Sequence, residues 1–224
     1  MLFRSISVSS ATVGQHLQAP IVISLSQAVP AGGVNISLSS SNTSLVKLAS
    51  RVFDLGSDAP LVVPLTQGTT EFFIYAQAFA NAGSATVTAS APGYQNGTST
   101  VALAPSGFVL DGPNGVGAAF TRNQGQTATL TVRPARLDAG LNFVQPQAIR
   151  AGYSTSVTLD NSNVNIGTIS PPSLSFSGGV DSAVTTFTAS TVSTGTGTIT
   201  AAPPAGFSTR SEERRVGKEC RSRW

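Results

Sequence analysis

Apolar and polar residues alternate along this chain with a period of two. In "IVISLS", Ile21, Ile23 and Leu25 fall on one face, with Ser24 and Ser26 on the other. Val34, Ile36 and Leu38 alternate with Asn35, Ser37 and Ser39, and Ala85, Val87 and Ala89 alternate with Thr86, Thr88 and Ser90. β-Branched and small residues at this spacing suit a pleated strand that buries one face. Stripes at the helical period are absent. Turn signals separate the runs: "PAGG" at 30–33, Asn96-Gly97, Asn114-Gly115 and "SGG" at 177–179. Asn-Gly between alternating runs favours a hairpin, because both residues accept positive φ. The pattern predicts an all-β chain.

One run departs from simple alternation. "EFFIYAQAF" (71–79) puts Phe72 and Ile74 on one face and Phe73, Tyr75 and Phe79 on the other. Apolar residues on both faces most simply mark a central strand, covered inside by the core and outside by a neighbouring loop. The alternative is an exposed aromatic platform, Phe73, Tyr75 and Phe79, that contacts a sugar or a partner protein.

The same patterns occur twice. "VNISLSSSN" (34–42) matches "TSVTLDNSN" (155–163), with Ile36, Leu38 and Asn42 on Val157, Leu159 and Asn163. "GSATVTASAPGY" (83–94) matches "GTGTITAAPPAGF" (195–207), and "EFFIYAQA" lies opposite "SAVTTFTA" (182–189), which sets Tyr75 against Phe187. A repeat of roughly a hundred residues, with about seven short strands in each copy, predicts tandem β-sandwiches. The boundary falls in "LAPSGFVLDGP" (103–113), where glycine and proline break the pattern. This gives a first domain over 1–107 and a second over 108–209.

Both copies resemble bacterial immunoglobulin-like repeats. The resemblance rests on "SLSSSNTSLVKL" and "TLDNSNVNIGTIS", each followed by a proline, an apolar strand, a glycine, a further strand and G-x-A/G-T-V/I-T-A. It covers nearly all of 5–209. It implies two tandem immunoglobulin-like sandwiches from a larger bacterial extracellular or cell-surface protein, with neighbouring repeats as partners. The implied role is structural or adhesive, without catalysis. Two alternatives stay open: a module that binds a host or matrix glycan or protein, and an accessory domain of a secreted enzyme. The chain lacks the cysteine pair and core tryptophan of antibody-type domains. Copy one continues "GYQNGTSTVALAP", whereas copy two reads "GFST" before the pattern ends, so its last strand is expected to be missing.

Composition changes the picture only at one end. The net charge is +3, but residues 210–224, "RSEERRVGKECRSRW", hold six of the cations and three of the anions. The remainder is neutral, which removes the case for a nucleic-acid partner. The only cysteine (Cys220) and the only tryptophan (Trp224) also lie in this stretch. All fifteen of its residues match the conceptual translation of a common short-read sequencing adapter, so 210–224 is expected to be a non-native, disordered scar. On that reading the native sequence ends at Thr209 within a longer protein, with signal and anchor elsewhere. No run of eighteen apolar residues predicts a membrane span.

Candidate chemistry is sparse. His16 is the only histidine and has no Cys, Asp or Glu close in sequence, so it predicts neither a triad nor a zinc site. The aspartates are scattered through turns and offer no acid–base pair. "FDLGSDAP" (Asp54, Asp58) and "LDNSN" (Asp160, Asn163) each cluster short oxygen side chains. Calcium favours such ligands, whereas Asp and Asn also cap turns routinely. No other cofactor is implied.

Overall fold

The computed structural model describes residues 4–209, and the expectation for 210–224 lies outside the described residues. The chain is all-β. Among the described residues there is no α-helix, only a single 3-10 turn at Val164–Ile166. The chain divides into two compact units, the first comprising the chain up to Ala104 together with Arg150–Gly152. The second comprises Pro105–Ile149 and the chain from Tyr153 onward.

The first unit contains β1 (Ile6–Val8), β2 (Ala11–Gly14), β3 (Leu17–Leu25), β4 (Val34–Ser40) and β5 (Val46–Ala49). It continues with β6 (Leu61–Leu65), β7 (Glu71–Ala78), β8 (Ser84–Ser90) and β9 (Gly97–Ala104). One sheet has the order β1-β3-β7-β5, the other β2-β9-β8-β4-β6. The chain changes sheet immediately after β1: β1 runs antiparallel to β3, whereas β2 runs parallel to β9. The alternation read from the sequence decides which side is buried. Ile21, Ile23, Ile36, Leu38, Ile74 and Val87 are all completely enclosed. Each aliphatic side chain of this kind contributes roughly 1.5–3 kcal/mol on burial. Buried Tyr94 closes one end by donating its hydroxyl to the Gln27 carbonyl at 3.1 Å.

The second unit contains β10 (Ser106–Gly112), β11 (Gly115–Val116), β12 (Thr127–Leu137), β13 (Phe143–Pro146) and β14 (Ala148–Ile149). It continues with β15 (Ser154–Asn161), β16 (Gly167–Ser170), β17 (Ser173–Ser177), β18 (Ala183–Ala189) and β19 (Ile199–Ala202). One sheet has the order β11-β10-β12-β18-β16, with β13 also on β12, and the other has the order β17-β15-β19. Phe120, Leu130, Ile166 and Phe187 pack in its core.

The two units share one design. β3-β7-β5 corresponds to β12-β18-β16, and β4 between β6 and β8 corresponds to β15 between β17 and β19. The loop devices agree as well. Asn42 Oδ1 accepts from the Ser44 amide at 3.0 Å, and Asn163 Oδ1 accepts from the Asn165 amide at 3.2 Å. Asparagine is suited to this turn because its side chain replaces a backbone acceptor. The Ser41 hydroxyl accepts from the Thr86 amide at 2.9 Å, as the Ser162 hydroxyl does from the Thr198 amide at 2.8 Å. Tyr94 and Phe207 occupy equivalent ends, Phe207 packing on Phe108 at 4.7 Å between ring centroids.

The register corrects one detail of the repeat. Leu48 faces Ala76 and Ile169 faces Phe187, so Phe187 is the counterpart of Ala76, and Tyr75 that of Thr186. The inward aromatic of the second unit therefore stands where the first has alanine. The swap is compensated across the sheet, where Gly167 replaces Val46. Among the described residues β9 has no counterpart in the second unit, and β19 pairs only with β15.

Candidate functional site

The strand that sequence singles out, β7, is central, flanked by β3 and β5. Its inward residues Ile74, Ala76 and Ala78 are completely buried. Its outward residues share a face with those of β3 in successive rows: Ser24 beside Glu71, Val22 beside Phe73, Pro20 beside Tyr75, and Gln18 beside Gln77.

A loop covers only one end of this face, and two buried glutamines hold it there. Gln18 Nε2 donates to the Val52 carbonyl at 2.7 Å. Gln77 Nε2 donates to Gln18 Oε1 at 3.0 Å and to the Asp54 carbonyl at 2.8 Å, while Gln77 Oε1 accepts from the Gly56 amide at 2.9 Å. Both amides are almost fully enclosed, and buried polar groups are stable only when paired in this way. The loop lifts Phe53 and Leu55 into solvent, at 72% and 71% exposure.

The other end of the face is open, contrary to the simplest reading of "EFFIYAQAF". Phe73 is 60% exposed and Val22 38%. Half-buried Tyr75 meets Phe73 edge to face, with centroids 6.1 Å apart and planes at 85°. This geometry is favourable for two aromatic quadrupoles and fixes the orientation of the exposed ring. Phe79 does not join the pair, because the glutamine-held loop lies over the intervening row. It packs instead beneath the Lys47 ammonium at 5.2 Å and the Arg150 guanidinium at 4.0 Å. The aromatic trio predicted from sequence is thus a pair and a separate cation-stacked ring.

The oxygen clusters are engaged locally. The Asp58 carboxylate accepts from Lys47 Nζ at 2.7 Å, and the Asp54 carboxylate accepts from the Ser50 hydroxyl at 2.6 Å. In the second unit Asn163 caps its turn and donates from Nδ2 to the Thr196 carbonyl at 3.2 Å, while Asp160 is exposed on β15. Among the described residues no group of three or more His, Cys, Asp or Glu side chains gathers around one point.

Sequence reading missed the two glutamines. Their signal was present: long amides at outward positions of two adjacent strands. It was hidden because the register that pairs them is not encoded locally.

His16 occupies a left-handed turn position, φ 61°, between β2 and β3. Burial, and secondarily the Arg150 guanidinium, hold its imidazole below the ordinary histidine value. The folded first unit therefore favours neutral His16. As pH falls through about 6.5, the unfolded chain takes up the proton before the folded chain does, so stability declines on acidification. Urea unfolding of the first unit at pH 7.5, 6.0 and 5.0 is expected to show this decline. His16→Asn, which tolerates the same backbone conformation, should flatten it.

No known family profile matches the chain, and no curated protein matches it. Among solved structures it is similar to Escherichia coli alpha-2-macroglobulin activated by porcine elastase. That likeness has 14% identity and a TM-score of 0.32, covering 98% of this chain and 22% of the other. It is also similar to Salmonella alpha-2-macroglobulin reacted with methylamine. Here the identity is 12% and the TM-score 0.29, covering 97% of this chain and 16% of the other. Likenesses this distant add nothing to the fold described above, and the chain spans about a fifth of the length of those proteins.

Proposed function

We propose that the chain is a pair of tandem immunoglobulin-like repeats from a larger bacterial extracellular or cell-surface protein, acting as a structural spacer. The observation that carries this reading is the shared strand order and turn chemistry of the two units. Repetition of one self-sufficient core suits a load-bearing array, because each module unfolds on its own. Single-molecule pulling between the chain ends is expected to give two separate unfolding steps. Each step should release a length near 100 residues, about 35 nm at full extension. One rip spanning both units would remove the modular reading. Hydrolytic turnover abolished by His16→Asn or Asp54→Asn would instead favour an enzyme.

A second reading is adhesive, and the exposure of Phe73 favours it. An aromatic ring held open on a sheet face, beside exposed Val22 and Pro20, is what a contact surface requires.

A further inference from the structure

The open end of the β1-β3-β7-β5 sheet carries more than aromatics, and its polar groups narrow the ligand. The first row is hydroxyl and carboxylate. Ser7 faces Ser24, Ser24 faces Glu71, and the Ser24 hydroxyl donates to Glu71 Oε2 at 3.2 Å. The next rows are Val22 with Phe73, and Pro20 with Tyr75 and Ala49. The glutamine-held loop bounds the far side. Acceptors therefore lie along one margin of an apolar floor, next to an aromatic ring held in place by its neighbour.

We infer that this floor is a subsite for a neutral glycan, which rests on the adhesive reading above. A β-linked hexose of gluco configuration carries its ring substituents equatorially, so both faces present only axial C–H groups and either is apolar and flat enough to cover Phe73. Its equatorial hydroxyls project sideways, where the Glu71 carboxylate and the Ser24 and Ser7 hydroxyls accept or donate. Charge selects against anionic sugars. Glu71 is the only charged residue in these strand rows, and Lys47 on β5 is already held by Asp58 at 2.7 Å. A uronate or sialylated glycan would bring a second negative charge beside Glu71.

The test uses the full chain, titrated with cellohexaose and, separately, with hexagalacturonate, and followed by backbone amide NMR. Cellohexaose is expected to move the amide signals of Val22, Phe73 and Tyr75 saturably, and hexagalacturonate to leave them unmoved. Phe73→Ala should weaken binding by roughly tenfold or more, the effect of removing a central aromatic anchor. Glu71→Gln should weaken it by roughly threefold, because a charge-assisted acceptor becomes a neutral one. Phe73→Tyr keeps the ring and should retain binding, which separates ring loss from misfolding. Val62→Ser, on the other sheet, should change nothing. Absence of these shifts, equal binding of the anionic hexamer, or indifference to Phe73→Ala would overturn the inference. If the chain instead binds immobilised fibronectin or collagen through Phe73, the adhesive reading stands and the glycan falls. If nothing tested depends on Phe73, both fall.

Discussion

Gly167→Val is expected to destabilise the second unit by about 2–3 kcal/mol, the range for overfilling a packed core. A Cβ at Gly167 would stand 2.6 Å from Phe187 Cζ and 2.8 Å from Cε2, and would also strike the Thr188 carbonyl. Neither the buried ring nor the strand backbone can retreat cheaply. The first unit shows the opposite solution at the equivalent positions, with Val46 on β5 and Ala76 on β7, both completely buried. Phe187→Ala alone should cost about 3–5 kcal/mol, because it empties the site. The double variant Gly167→Val with Phe187→Ala restores the arrangement of the first unit. It should cost less than the sum of the singles by about 2 kcal/mol, although the strike on the Thr188 carbonyl remains. Chemical denaturation of the four proteins closes the cycle. Additive costs would show that the two positions are not coupled.

Gln77→Ala should produce the second large effect, in the first unit. It leaves Gln18 Oε1 and the Asp54 carbonyl without a donor and the Gly56 amide without an acceptor. One buried group, Gln18, and two half-buried ones, Asp54 and Gly56, are stripped of partners, which at about 1 kcal/mol each predicts a loss of about 2–3 kcal/mol. Hydrogen exchange at the Gly56 amide should accelerate, since the loop loses its main tie to the sheet. Gln77→Glu is a sharper probe, because its carboxylate can still accept from Gly56 but cannot donate to Gln18 and Asp54. If Gly56 exchange is unchanged in Gln77→Ala, other contacts hold the loop.

These two predictions also mark where sequence and tertiary structure divide. Alternation alone determined the strands and their buried faces. Ile21, Ile23, Ile36, Leu38 and Val87 are enclosed because a strand sends successive side chains to opposite sides, a rule that holds residue by residue. The all-β class was legible for the same reason. So was the paired Asn42 and Asn163 turn, whose hydrogen bond closes within two residues.

What the sequence left open depended on non-local register. Only the pairing of β3 with β7 sets Gln18 beside Gln77, and only the loop above them decides that Phe79 is separated from Tyr75. Phe73 is open, and not covered, because that loop is tied to the other end of the face. Likewise Gly167 reads as an ordinary turn glycine until the β16–β18 register brings Phe187 over it. Local periodicity fixes which way a side chain points. Which neighbour it meets there depends on contacts between residues tens of positions apart, and only the folded chain brings those together.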